Sequence, residues 1–388
     1  MKKWFGLLLL GTCLSMMLCP PSYAMAETLE LESASVVLME AASGKILYEK
    51  EMDEQRIPAS VTKLMTLLVA NEAIEQGRGH LDDVVVASEH AASLGGSQIY
   101  LEPGEKMDLQ DLLVAIAVGS ANDACVAVAE HLYGSEEAFV AEMNRRAESL
   151  GMKNTHFCNP YGLPVEGHYT SAHDLALLGQ EALHNDNVMK LTSIKHYTLR
   201  GDTTKPFELH NTNKLLWWYP GADGFKTGWV GQNSGYCLAS TAEKDDMRLI
   251  AVVLGAQERY GNFRDAMKLF NYGFANYNYT PLFSERQTLE NVTVEKGLLN
   301  TVDVGLLTDA GLVHAKQSQT ELTTQCHLPA ALTAPLQTGD IIGTVEVLDG
   351  EETVASYDLA VLQDVKKCGL LDQFKRVCQY MFTSSSRF

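Results

Sequence analysis

The hydrophobic period of this chain changes twice along its length, and that change restricts the fold more than any other feature. From Ser35 to Lys50 the pattern is strand, turn, strand: Ser35–Glu40 and Lys45–Lys50 flank Ala42-Ser43-Gly44, a turn sequence. The period then lengthens to that of a helix. Pro58 precedes a run from Ser60 to Glu75 with Leu64, Leu67, Leu68 and Ile74 at helical steps. Asp111–Val118, Asp123–Leu132, Glu136–Leu150 and Ala172–Leu183 read as further helices, separated by loops such as Asn159–Gly162. The period then changes again: Gly224–Val230, Tyr236–Thr241 and Met247–Leu254 read as three strands joined by short polar turns, before a helix from Asn262 to Tyr277. Two groups of strands around a helical block predict one α+β domain with a five-stranded sheet, over residues 27–279.

Residues 280–365 differ. Short β-like runs, among them Leu289–Glu295 and Ile341–Val347, are broken by turn residues at close intervals, so a small all-β domain is expected. From residue 366 to 388 the pattern changes again. Leu370, Leu371, Phe374, Val377, Cys378 and Met381 recur at three- and four-residue steps, with Lys366, Lys367, Lys375, Arg376 and Arg387 beside them. On a helix this makes an apolar face with basic flanks, suited to lying in a membrane interface. No internal repeat is found.

The first 26 residues point to export. Lys2 and Lys3 precede an apolar run from Trp4 to Leu18, followed by the small-residue pattern Ala24-Met25-Ala26. That is the layout of a secretory signal peptide, and the apolar run is shorter than the ~20 residues a membrane span requires. Cys13 and Cys19 lie in it without a lipoprotein cleavage context. Removing the segment takes the formal charge from −19 to −21. So acidic a chain is no nucleic-acid binder, since phosphate contacts need clustered Lys and Arg. Six cysteines remain, at 125, 158, 237, 326, 368 and 378, with no C-x-x-C. That spacing excludes common zinc knuckles and thioredoxin-like motifs, and mostly buried single thiols are expected although export permits disulfides.

Three short motifs carry chemistry, and their order carries more than any one of them. In Ser60-Val61-Thr62-Lys63, serine and lysine three apart share a helix face. A serine hydroxyl attacks only when a base takes its proton, and a lysine made neutral by burial is such a base. In Ser120-Ala121-Asn122, Ser120 is placed to relay a proton and Asn122 to bind a substrate carbonyl; a helix cap is the plainer alternative. In Lys226-Thr227-Gly228, a lysine and a hydroxyl on a strand suit a carboxylate, and the glycine admits close backbone approach. S-x-x-K, then a Ser-x-Asn, then K-T-G, is the motif set of penicillin-binding proteins and class A β-lactamases.

On these motifs the sequence resembles the low-molecular-mass penicillin-binding proteins, specifically the D-alanyl-D-alanine carboxypeptidase family. The likeness extends to Pro58–Lys63, Gly95-Gly96-Ser97, Ser120–Ala124, Asn159–Leu163 and Asp223–Gly228, and covers nearly the whole chain after residue 26, with the β domain and tail. It implies a β-lactamase/transpeptidase-like fold: a mostly antiparallel five-stranded sheet flanked by helices, with an all-helical subdomain. It implies no cofactor. The implied reaction removes the terminal D-Ala from stem peptides ending in D-Ala-D-Ala, with acylation by β-lactam antibiotics. Ser60 is then the nucleophile, Lys63 the base and Ser120 the proton relay. Lys226 and Thr227 hold the terminal carboxylate, and the N–H groups of Ser60 and Trp229 bind the oxyanion, with Asn122 and Gly228 completing the site. The implied location is the outer face of the cytoplasmic membrane, held by the C-terminal helix.

Rival readings make distinct demands. A class A β-lactamase needs a deacylating glutamate in an E-x-x-L-N context; Glu181–Asn185 is the nearest segment and does not fit. A zinc peptidase would draw on His168, His173 and Asp174, but adjacent helical residues such as the last two point about 100° apart, and no metal is expected. A β-lactam sensor or wall-binding protein with a silent site would not need every catalytic side chain, and all are here.

Overall fold

The structure is a computed structural model and describes residues 29–201, 205–316 and 321–369. The expected signal segment and the tail from residue 370 lie outside the described residues. The described residues from Glu32 to Gly369 belong to one compact unit.

Strands β1 (Ser35–Glu40) and β2 (Ile46–Lys50) form the opening hairpin. A 3₁₀ turn, Ala59–Thr62, leads into α1 (Lys63–Glu75). The helical region holds β3 (Val84–Val86), α2 (Glu89–Ala92), β4 (Lys106–Asp108), α3 (Leu109–Val114), α4 (Asn122–Tyr133), α5 (Glu136–Ser149), α6 (Ala172–Leu183) and α7 (Asp186–Ser193). The hairpin of β5 (His196–Leu199) and β6 (Phe207–His210) and the short α8 (Leu215–Trp218) precede β7 (Ala222–Gly228), β8 (Tyr236–Lys244), β9 (Met247–Ala256) and α9 (Gly261–Asn276). The central sheet has the order β2-β1-β9-β8-β7, every pair antiparallel. Both expected groups of strands therefore join in one sheet, with β7 at its edge.

Helices cover both faces. Neighbouring residues on a strand point to opposite sides. Gly273 of α9 packs on Leu249 of β9, while Gly179 of α6 packs on Ile250. One feature departs from expectation. The apolar spacing of α1 reads as a single buried face, yet every residue from Lys63 to Asn71 is buried. A helix buried all round is the core of its domain, so Lys63 is enclosed by protein.

The remaining strands are β10 (Tyr277–Phe283), β11 (Thr288–Glu295), β12 (Thr301–Gly305), β13 (Ala310–Ala315), β14 (Leu322–His327), β15 (Ala331–Thr333), β16 (Ile341–Asp349) and β17 (Glu352–Val361). Strand β10 pairs with β13, and the other six form a sheet in the order β14-β16-β17-β12-β11-β15. Residues two apart supply its core: Val292 and Val294, Val302 and Val304, Val345 and Val347, Leu359 and Val361. Two expected boundaries shift. The division at 279/280 falls inside β10. The tail helix does not start at Lys366, because the ladder claims that backbone: Leu298 N–H donates to Lys366 O at 2.8 Å and Cys368 N–H to Lys296 O at 2.7 Å. Among the described residues Cys125, Cys237 and Cys368 are buried free thiols, and Cys158 and Cys326 are half-buried ones.

Candidate active site

The site assembles where the start of α1, the end of the α3 region and the edge strand β7 converge. Ala59 and Ser120 both have left-handed backbone, at φ 49° and 60°. For non-glycine residues this costs on the order of 1–3 kcal/mol and persists only where the surroundings enforce it. Ahead of Ser120 the helix widens into a π turn, Ala115–Gly119, and Ala121 N–H donates to Ala115 O at 3.1 Å. The expected helix through Val118 is thus split at its end, a distortion common at functional positions.

Lys63 reaches across this junction. Its Nζ donates to Ser60 Oγ at 3.0 Å, to Asn122 Oδ1 at 2.7 Å and to Tyr161 O at 2.7 Å. Burial lowers its pKa to about 8, against the opposing pull of Cys125 and Asp123. The Tyr161 carbonyl is aimed by Asn159, whose Oδ1 accepts from Tyr161 N–H and Gly162 N–H. Gly162 is required there: at φ 86° a Cβ would run into the carbonyl of Ala59. The Asn159–Gly162 loop therefore has a definite task, setting the third partner of Lys63.

Asn122 is turned inward. Its Oδ1 serves Lys63 and its Nδ2 donates to Gly95 O at 2.7 Å, leaving one amide hydrogen uncommitted. Asp123 takes Ile99 N–H at 3.1 Å and Leu101 N–H at 3.1 Å, fixing the loop that carries Ser97. Ser120 Oγ is buried with no hydrogen-bond partner in the structure. A buried hydroxyl without a partner carries a cost that an incoming polar group would remove.

On the opposite side, β7 lies against the nucleophile. A Cβ at Gly228 would sit 2.7 Å from Pro58 O and 2.9 Å from Ser60 N, so only glycine lets the strand and Trp229 come this close. Thr227 Oγ1 donates to Thr212 Oγ1 at 2.6 Å. Lys226 is fully buried behind the cavity wall, where its Nζ donates to Thr227 O at 3.2 Å. Burial first, and then the charge of Lys63, lower its pKa to about 7. Asp223 steadies the strand, taking Arg248 Nη1 of β9 at 2.9 Å on both carboxylate oxygens.

These groups border a cavity of about 270 Å³ lined by Ser60, Ser97, Ser120, Thr227, Gly228 and Trp229, and also by Thr212, Tyr236, Arg259 and Tyr260. The last four were not found from sequence. Only Arg259 brings a cation to the wall, and no motif surrounds it.

The residues of the rival readings have other work. Glu181 pairs with Arg146, which also holds Glu72. His168 accepts from Cys158 N–H on Nδ1 at 3.0 Å and faces Thr62 Oγ1 through Nε2 at 2.9 Å, and burial lowers its pKa to about 4. Asp174 takes Asn154 N–H and Thr155 Oγ1, and His173 faces Asp53.

Residues 22–258 match the D-alanyl-D-alanine carboxypeptidase family, and residues 277–367 match the C-terminal domain of penicillin-binding protein 5. The chain belongs to the D-alanyl-D-alanine carboxypeptidase family. It is 40% identical to D-alanyl-D-alanine carboxypeptidase DacF of Bacillus subtilis, over 97% of this chain and 98% of that one. Penicillin-binding protein 5 of Haemophilus influenzae superposes with a TM-score of 0.76 at 33% identity, covering 87% of this chain and 99% of that one. A Listeria monocytogenes penicillin-binding protein in its ampicillin-bound form superposes with a TM-score of 0.57 at 32% identity, over 63% of this chain and 98% of that one. As a member, the chain is a serine-type D-Ala-D-Ala carboxypeptidase and a β-lactam-binding protein, working on peptidoglycan.

Proposed function

We propose that Ser60 is the nucleophile, attacking the carbonyl of the penultimate D-Ala of a stem pentapeptide and expelling the terminal D-Ala. The observation that carries this reading is the enclosed amine of Lys63, 3.0 Å from Ser60 Oγ and held by two further acceptors. A lysine pushed down to about 8 is neutral often enough near neutral pH to take the serine proton. An incoming carboxylate favours the charged form of Lys226, and a charged Lys226 favours a neutral Lys63 beside it. Substrate binding and base activation are thereby linked.

Thr227, Thr212 and Arg259 receive the carboxylate at the cavity wall, with Lys226 as the charge behind it. Gly228 brings the N–H groups of Ser60 and Trp229 together as donors to the oxyanion. Ser120 Oγ passes the proton from Lys63 to the departing amine. The free Asn122 amide hydrogen meets the peptide carbonyl on the acyl side. Water then attacks the acyl-Ser60 ester; Lys63 takes the proton from the water and returns it to Ser60 Oγ as the shortened peptide leaves with a carboxylate. A β-lactam carries a strained amide near a carboxylate, fits the same groups and leaves an ester on Ser60.

Residues 1–26 are read as an export signal and the basic amphipathic tail as a peripheral anchor at the outer face of the cytoplasmic membrane. Among the described residues no helix is long and apolar enough to cross a membrane. The catalytic assignment is tested by mass spectrometry of peptides after benzylpenicillin treatment. The adduct is expected on the peptide containing Ser60; an adduct on any other peptide rejects it.

A further inference from the structure

The turn joining β11 to β12 has an unusual composition. Hairpin ends normally carry Gly, Asn, Asp or Ser. Here Lys296-Gly297-Leu298-Leu299-Asn300 places two adjacent leucines at the tip, 44% and 42% exposed. They have no room to fold inward. A Cβ at Gly297 would already lie 2.8 Å from the methyls of Val294 and Val365, so the core beneath the turn is full. The turn is also pinned: Val294 N–H donates to Asn300 O at 2.8 Å, and the ladder to Lys366 and Cys368 holds its other side.

That ladder brings three exposed lysines to the leucines. Lys296 is in the turn, and Lys366 and Lys367 are in the extended segment after β17 that bridges to it at Gly297 and Lys367. Glu295 and Asp364 flank the group, and Asp364 is engaged by Thr338 N–H at 2.8 Å. In a chain with a formal charge of −19, three lysines around an apolar tip are a local reversal of sign. The chain leaves the described body at the same place: 19 residues follow Gly369, with Lys375, Arg376 and Arg387 among them and one acid, Asp372.

We propose that the Lys296–Asn300 turn is a second membrane contact, setting Leu298 and Leu299 among the headgroups of an anionic bilayer while Lys296, Lys366 and Lys367 meet lipid phosphates. The inference rests on the membrane reading of the tail and adds a surface of the folded β domain to it. Single weak anchors bind reversibly, and stable attachment takes two signals. A basic patch next to an apolar insertion is such a pair, and its lysines act only within a Debye length of the surface. With one contact in the tail and one in the fold, the β domain would meet the bilayer in a fixed orientation instead of pivoting on the tail.

The test uses the full chain and sedimentation with phosphatidylglycerol vesicles, with phosphatidylcholine vesicles as the uncharged control. The double variant L298S/L299S is expected to bind phosphatidylglycerol vesicles roughly tenfold more weakly, with release of D-Ala from a soluble peptide unchanged. K366Q/K367Q is expected to weaken binding to phosphatidylglycerol and leave binding to phosphatidylcholine as it was. Unaltered vesicle affinity of L298S/L299S overturns the proposal. So does a loss of self-association by that variant without vesicles, which would assign the tip to a second copy of the chain. The tail reading fails separately: L371D/F374D should abolish most binding, and if it does not, the tail is not the anchor whatever the tip variants do.

Discussion

The catalytic domain and the β domain bury different kinds of side chain. Among the described residues every buried polar or charged side chain lies between Ser33 and Asp265, among them Lys63, Asn122, Asp123, His168 and Lys226. The β domain buries valine, leucine and alanine on alternating positions of its strands. Burying a polar group costs free energy unless each donor and acceptor is met. The catalytic domain bears that cost in a connected network: Lys63 to Asn122, Asn122 to Gly95, Asp123 to Ile99. Even so it leaves Ser120 Oγ unpartnered and two lysines pushed toward neutrality. Such choices are expected where reactivity is needed, and the described residues of the β domain make none of them.

The sharpest way to break this comparison is Ser60→Ala. If the polar network exists to activate one hydroxyl, kcat/KM for D-Ala release should fall by at least about 10⁴-fold while the fold persists. Ser60 is half-buried, and losing its hydroxyl opens no large cavity. Release surviving within tenfold of the parent would place the nucleophile elsewhere.

The converse test lies in the β domain. Leu359 is fully buried in its core. Leu359→Ala should cost about 3–4 kcal/mol of that domain's stability, read as an earlier transition in urea. The kcat/KM on a soluble peptide should stay within twofold at 25 °C. A large loss of activity in a β domain that is still folded would show that the two parts are coupled.

The third test uses pH. Lys63 must be neutral to act as base, and its pKa is lowered to about 8. Well below that value the neutral fraction falls tenfold per pH unit, and at pH 8 it is already one half, so kcat/KM should drop about fiftyfold from pH 8 to pH 6. The same lowered values raise stability with pH. From about 7 for Lys226 and about 8 for Lys63 up to the ordinary lysine pKa near 10.4, the unfolded chain binds more protons than the native one, so the cost of burying these two amines declines and stability rises with pH across that window. A pH–rate profile flat from 6 to 9 would mean that Lys63 is not the base.

How much of this was legible in the sequence follows from the distances involved. Ser60 and Lys63 are one helical turn apart, so their encounter is local and spacing discloses it. The five sheet strands are long enough for apolar, β-rich runs bounded by turn residues to register, and β1 and β9 are buried along almost their whole length. The β3–β4 pair and the β5–β6 hairpin have strands of three or four residues, too few alternations to separate from a loop. Thr212 and Arg259 reach the cavity from a loop after β6 and a loop before α9, so only tertiary closure reveals them. The inward turn of Asn122 and the retreat of Lys226 behind the wall likewise depend on the packing of α1, which burial all round sets and local periodicity does not.

The finest of these distinctions concerns one hydroxyl. Thr227 Oγ1 donates to Thr212 Oγ1 at 2.6 Å, which leaves the Thr212 proton free to point into the cavity. If these hydroxyls receive the substrate carboxylate, Thr227→Val removes a hydrogen bond made in the ground state and the transition state alike. KM should then rise about tenfold with kcat little changed, a loss of about 1.4 kcal/mol, and Thr227→Ser should restore it. Exposed threonines of the β domain, such as Thr293, should tolerate the same change without a kinetic effect. A fall in kcat at constant KM would instead place Thr227 among the groups that act on the reacting carbonyl, and would move the carboxylate contact to Arg259.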